Sequence, residues 1–321
     1  MSSAGRPARW TAQDWPVGMS TLPLSSSFTH GRDDARAPKE QWRRDLREIA
    51  GLGFAAVELT DAWLPVADLG ASRQDELRGV LQETSLDVVA MTVSRRSILD
   101  PVLGEENLAY AHRAVEAAAA FGTGVVCLGL HRPLTAAQRR AHWFWLEPGA
   151  SDPADPETFE RAVAGFRELG HHCADLGLQL SLEVYEDTLL GTVDGALRMI
   201  EAIGLDNVGL NPDVANLVRL HRPHATSWYE DFARLLPVSN YWHVKNYQVD
   251  HDPGAGAWFS APTSLELGVL NYRALLQLAL DCGFSGPLCC EHYGGDALGV
   301  GATNLAYLRR TLSLKIEEVV S

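Results

Sequence analysis

Positive charge, cysteine and long apolar runs are what this sequence is short of. Its 27 lysines and arginines stand against 41 aspartates and glutamates, a formal net charge of −14. A field of that sign repels a phosphate backbone, which excludes nucleic acid as a partner. The five cysteines, Cys127, Cys173, Cys282, Cys289 and Cys290, form no CxxC pair. An odd, scattered set suits a reducing cytoplasm rather than a disulfide framework. No run of 18 apolar residues occurs, which excludes a membrane-spanning helix, and the first 30 residues lack the apolar stretch of a signal peptide. The chain is therefore expected in the cytoplasm. A glycine-rich phosphate loop is missing too: the first strand-like run leads into PLSSSFTHG, which disfavours a doubly wound dinucleotide-binding sheet.

What is present is alternation. Short apolar runs recur at 16–24, 55–60, 86–93, 124–130, 178–185, 207–214, 240–247 and 286–293. Amphipathic segments lie between them; in KEQWRRDLREIAGLG, Trp42, Leu46 and Ile49 share one helical face. Glycines close these helices at GLGF (51–54), FGTG (121–124), LGLQ (176–179) and CGFSG (282–286), each delivering the chain into an apolar run. Eight β/α units in 321 residues, 46% of them hydrophobic, predict an α/β fold, a single (β/α)₈ TIM barrel. It is expected to span residues 16–321 after an N-terminal extension, 1–15. Long loops follow strand 4 (131–156) and strand 7 (248–268), both on the C-terminal face where such barrels carry their sites.

Side-chain parity on the last four strands separates apolar from polar residues. In LSLEVY, Leu182 and Val184 oppose Ser181, Glu183 and Tyr185; in VGLNPDV, Val208 and Leu210 oppose Asn211 and Asp213. In YWHVKN, Trp242 and Val244 oppose His243 and Lys245; in LCCEHY, Leu288 and Cys290 oppose Cys289, Glu291 and Tyr293. The apolar parity packs against the surrounding helices, so the polar one faces the barrel axis. Buried carboxylates require a positive neighbour. Glu183, Asp213, His243 and Glu291 are therefore expected to hold one divalent metal ion. Three oxygen donors and an imidazole suit Mn²⁺ best, with Mg²⁺ and Co²⁺ next and Zn²⁺ also admissible.

Further residues are candidates for substrate contact. Lys245 shares the inward parity and either holds a substrate oxygen or pairs with Glu291 or Asp213. Asn216 either bonds a sugar hydroxyl or caps the next helix. Glu58, inward on AVELT, either supports a ligand or touches substrate. Trp143, Trp145 and Trp258 lie in the long loops, as sugar-stacking indoles or packing anchors. His142, beside them, is a candidate proton donor, or else a surface histidine of a lid. Arg219, His221, Arg222 and His224 form a basic stretch that binds an acidic ligand or a partner subunit, or else is simply solvated.

At these residues the chain resembles the xylose isomerase-like TIM barrels, the sugar phosphate isomerase/epimerase superfamily. In its epimerases a Glu, Asp, His, Glu set binds one divalent metal, which implies Glu183, Asp213, His243 and Glu291 here, with Glu183 and Glu291 doubling as acid and base. Ketose 3-epimerases usually carry a His where Asn216 stands and an Arg where Val249 stands, which weakens a simple ketose epimerase. Endonuclease IV-type members need additional His ligands, and the charge disfavours them. GLNPDVANLVRLHRP and NYWHVKNY are most similar to the α subunit of bacterial C-glycoside deglycosidases. That similarity implies a lyase cleaving 3-oxo-glucosides by elimination, with a small β subunit as partner; superfamily members also self-associate. The alternatives are a ketose 3-epimerase or inosose dehydratase-like enzyme, and, in another class, a non-catalytic carbohydrate-binding barrel.

Overall fold

A computed structural model describes residues 10–25, 33–222, 224 and 226–320. Eight parallel strands form one sheet: β1 (Val17–Ser20), β2 (Ala56–Thr60), β3 (Asp87–Thr92), β4 (Val125–Leu128), β5 (Gln179–Glu183), β6 (Val208–Asn211), β7 (Trp242–Val244) and, after two further strands, β10 (Leu288–Cys290). Their order is β6-β5-β4-β3-β2-β1-β10-β7. The seam between β6 and β7 is bridged by Leu210 and Ser239 and by Asn240 N–H donating to Leu210 O at 3.1 Å, so the sheet nearly closes into a TIM barrel. The strands stop short of their apolar runs: β6 ends before Pro212, which has no N–H for a ladder.

Helices α1 (Lys39–Gly51), α2 (Ala71–Thr84), α3 (Gly104–Ala120), α5 (Pro156–Asp175), α6 (Val193–Ile203), α8 (Trp228–Leu235), α9 (Tyr272–Asp281) and α10 (Ala297–Val320) flank the barrel; the short α4 (Ala136–Arg140) and α7 (Ala215–Val218) lie in its loops. The face of α1 that holds Trp42, Leu46 and Ile49 is fully buried, as its spacing predicts. Each such side chain contributes about 1.5–3 kcal/mol by leaving water. Inside the barrel, Ala90, Val125, Cys127, Tyr241 and Cys289 form a separate apolar cluster. Among the described residues no helix is long and apolar enough to cross a membrane.

Both long connections carry structure of their own. The first contains α4, whose N-cap Thr135 exchanges hydrogen bonds with Gln138 in a capping box, and a 3₁₀ turn at Phe144–Leu146. The second is not a loop but an antiparallel hairpin, β8 (Asn246–Asp252) with β9 (Ala257–Thr263), in register from Asn246↔Thr263 to Asp252↔Ala257. Its alternation continues from β7 after Lys245, where the chain leaves the barrel. Residues 1–9 of the expected extension lie outside the described residues. Trp10 Nε1 donates to Ser285 O (2.9 Å) and Trp15 Nε1 to Gly286 O (3.0 Å), at the N-terminal end of the barrel.

Candidate metal centre

At the C-terminal mouth four inward side chains converge. Glu183 ends β5, Asp213 lies two residues past β6, His243 is the middle residue of β7 and Glu291 follows β10. One potential ligand atom from each lies within 4.8 Å of all the others, and all four residues are buried. His243 Nε2 sits 2.6 Å from Glu58 Oε2, while Nδ1 faces Glu183 Oε1 and Glu291 Oε2, 3.5 Å from each. A carboxylate behind the imidazole fixes its tautomer and raises its basicity as a ligand. Glu58 is fully buried on β2 and also accepts hydrogen bonds from Tyr241 OH (2.8 Å), Ser20 Oγ (2.9 Å) and the Thr92 hydroxyl.

Electrostatics matches a cation. Burial alone would raise the Glu183 carboxyl, but His131, His243 and Lys245 hold it well below the usual range. Burial alone would lower His243, yet Glu58 and Glu183 hold it well above its ordinary value. Burial, opposed by Lys245, pushes Asp213 up to about 7. Lys245 Nζ lies 2.6 Å from Glu291 Oε2 and 2.7 Å from Asp213 Oδ2. Three carboxylates around one ammonium leave acidic groups in excess, as a cation site requires. His243 Nδ1 and Asp213 Oδ1 are buried without a hydrogen bond, the state expected of donors directed at an ion, while Asp213 Oδ2 faces the Lys245 ammonium. The residues present fit a divalent metal.

Above the cluster opens a cavity of about 500 Å³, lined among others by Glu58, His131, Glu183, His243, Glu291, Tyr185, Arg95 and Trp143. A wider depression, about 940 Å³, lies at the opposite end around Trp10, Trp15 and Arg309 and holds none of the clustered acids. The cavity at the mouth, with its titratable groups, is the better candidate site.

The other candidates are placed variously. Lys245 is bound up with Asp213 and Glu291. Glu58 stands behind His243. Asn216, on α7, is fully buried and donates from Nδ2 to Glu183 Oε1 and Val184 O, both at 3.0 Å. It is neither a helix cap nor part of the cavity wall; its amide orients Glu183. His142 is exposed at the cavity rim with its ring against Trp143 (4.5 Å between centroids). Trp143 is half-buried in the wall and stacks on Trp145 (5.1 Å). Trp145, also in the cavity wall, is 1% exposed and donates from Nε1 to Ser260 Oγ at 2.7 Å, as the packing-anchor reading has it. Its indole anchors the first insertion to the hairpin. Trp258 lies on β9, stacked on its cross-strand partner His251 (3.6 Å).

Nor is 219–224 a free basic stretch. Arg219 is fully buried against Glu186 (2.7 and 3.0 Å) and donates to Tyr247 OH. Arg222 pairs with Asp187 (2.9 Å) and His224 with Asp231 (2.7 Å).

Among the cavity residues that were not sequence candidates are His131 and Arg95. His131 follows β4, buried, with Nε2 3.3 Å from Glu183 Oε2; burial pushes its imidazole down to about 4. Extending the parity Val125, Cys127, Gly129 by one step would have found it. Arg95 follows β3 with a left-handed backbone (φ +54°) that no alternation encodes.

The model of the family described as xylose isomerase-like TIM barrel matches residues 46–311. No curated protein matches the chain. A crystal structure of a xylose isomerase-like TIM barrel protein from Mycobacterium smegmatis, in complex with magnesium, is 44% identical, covers 96% of this chain and 99% of that one, and superposes with a TM-score of 0.90. L-ribulose 3-epimerase (16% identity, TM-score 0.67, 95% and 98% covered) shares the fold. So does 3-keto-D-glucoside 4-epimerase from E. coli (17%, 0.63, 92% and 99%).

Proposed function

Because the chain belongs to the xylose isomerase-like TIM barrel family, we propose that it is a divalent-metal-dependent enzyme that removes a proton from the carbon beside a sugar carbonyl. The observation that carries this reading is the convergence of Glu183, Asp213, His243 and Glu291, one potential ligand atom from each lying within 4.8 Å of the others. The ion, when bound, supplies Lewis acidity to a carbonyl and its neighbouring hydroxyl. Mn²⁺ is our first choice. The magnesium bound to the Mycobacterium smegmatis relative agrees with a hard, oxygen-rich set.

The protein's own groups do the proton transfers. Glu183 and Glu291 approach from different strands: in an elimination one of them takes the proton, and only in an epimerisation does the other return one on the opposite side. Glu183 is held ionised, as a base must be. Asn216 and Glu58 hold Glu183 and His243 in place. The Lys245 ammonium, within the cluster, stabilises negative charge developing on the substrate oxygen. Trp143 offers a stacking face.

For the substrate, the similarity of GLNPDVANLVRLHRP and NYWHVKNY to C-glycoside deglycosidase α subunits supports a 3-oxo-glucoside. Loss of the C2 proton would form the C1=C2 bond as the C1–aglycone bond breaks, with His142 protonating the departing aromatic carbon. A small β subunit is then the expected partner. Assaying purified, metal-defined protein with 3-oxo-glucosides, ketohexoses and inosose tests the reading. Aglycone release lost in E183Q supports it, whereas turnover of a ketohexose or inosose instead selects an epimerase or a dehydratase. Protein that binds Mn²⁺ no better than E183Q would point to a carbohydrate-binding barrel without catalysis.

A further inference from the structure

We propose that the cavity takes a substrate bearing a carboxylate as well as a hydroxycarbonyl, with Arg95 as its anion-binding residue. The inference rests on the reading above, in which the acidic cluster receives the hydroxycarbonyl.

Arg95 lines the cavity, half-buried. Its Nη1 donates to Arg132 O and its Nη2 to Tyr185 OH, both at 3.1 Å, and both partners are neutral. A guanidinium has five N–H donors, so three are left over. Neighbouring arginines are all matched by acids: Arg96 with Asp61 (2.9 Å), Arg132 with Asp152 (3.0 Å) and Arg219 with Glu186 (2.7 Å). Among the described residues no carboxylate pairs with Arg95.

Its placement is specific. The left-handed φ of +54° is unfavourable for a residue with a Cβ and persists only where the surroundings impose it. The Phe144 ring lies 4.7 Å from the guanidinium carbon, covering one face. Along the wall, Tyr185 packs its ring 4.1 Å from that of His131, which in turn reaches Glu183. An unmatched cation and the acid cluster thus share one cavity, one tyrosine and one histidine apart. At about 500 Å³ that space suits a polyhydroxy acid of sugar size. One free guanidinium matches one carboxylate in a bidentate pair, whereas a phosphoryl dianion would keep a charge unmatched.

The test compares 5-keto-D-gluconate with L-sorbose, hydroxyketones that differ in carrying a terminal carboxylate or a hydroxymethyl, by calorimetric titration into full-length, Mn²⁺-loaded protein. The wild type should favour the acid by about tenfold or more, R95Q should bring the two affinities within about threefold, and R95K should restore part of the difference. Equal affinities in the wild type, no binding of the acid, or a preference that survives R95Q would each overturn the proposal. Tighter binding of D-fructose 6-phosphate than of the keto acid would replace carboxylate by phosphoryl and overturn it too. E183Q isolates the underlying reading: affinities for both ketones unchanged in that variant, with the acid preference still depending on Arg95, refute the cluster's role and leave the anion site standing.

Discussion

Replacing Glu58 by glutamine removes one charge from behind the centre without touching any proposed ligand. Three of the donors on Glu58 converge on Oε2: His243 Nε2 at 2.6 Å, Tyr241 OH at 2.8 Å and the Thr92 hydroxyl. Only Ser20 Oγ, at 2.9 Å, approaches Oε1. A glutamine whose carbonyl takes the Oε2 position keeps all three acceptor contacts. Its amide then meets a serine hydroxyl able to accept, so the core stays satisfied and the fold should survive. What is lost is the charge that assists the His243 bond and makes Nδ1 a stronger donor. Loss of such a supporting carboxylate weakens metal binding about 10–100-fold, or about 1.4–2.7 kcal/mol. Titration of Mn²⁺ into metal-free protein at pH 7.5, with urea midpoints measured alongside, reads both quantities. E58A serves as the contrast, since it strands the three Oε2 donors at about 1–3 kcal/mol each and should destabilise the fold outright. Wild-type Mn²⁺ affinity in a well-folded E58Q protein would refute the role assigned to Glu58.

K245M removes the ammonium beside Asp213 and Glu291; it should tighten Mn²⁺ by about an order of magnitude while lowering turnover and the stability of the metal-free form, as titration, assay and urea unfolding would show. Gly294 has φ +70°, and a Cβ there would meet Trp143 at 2.7 Å. G294A should therefore cost about 1–2 kcal/mol, shift the Trp143 indole and raise KM more than it lowers kcat, read by tryptophan fluorescence and kinetics. His131, held down to about 4 from 6.5, binds fewer protons folded than unfolded across that window. Its contribution is complete above pH 6.5 and lost as pH falls toward 4, up to about 3 kcal/mol for a shift of roughly 2.5. Asp213, pushed up to about 7, gains stability over the same window, so the effect is read as a difference: from pH 7 to 5 the urea midpoint of metal-free wild type should fall relative to that of H131N.

Architecture and cluster were legible because both are written in short-range periodicity. Alternation on β5 to β7 and β10 separates Leu182 from Glu183 and Trp242 from His243, and burial of the apolar parity leaves the polar one only the axis to face. Asp213, past the end of β6, keeps its parity across Pro212. Residues whose roles depend on a distant partner were not legible in this way. Asn216 reads as a cap or a sugar contact until α7 brings it 3.0 Å from Glu183, 33 residues away in sequence. Trp145 reads equally as a stacking indole or a packing anchor until the hairpin supplies Ser260, 115 residues on. The hairpin itself was hidden because the apolar content of 248–268 is low where β8 and β9 pair largely in solvent.

Lys245 explains how such a site persists before any ion arrives. Three buried carboxylates without compensation would repel one another and take up protons. With the ammonium among them Glu183 stays ionised, and Asp213, pushed up to about 7, is the acid closest to protonation. Lysine on the same parity as His243 therefore offsets part of the charge of Asp213 and Glu291, 2.7 and 2.6 Å away. The octet NYWHVKNY thus supplies a proposed ligand, a cation beside the acids two residues later, and between them a buried valine.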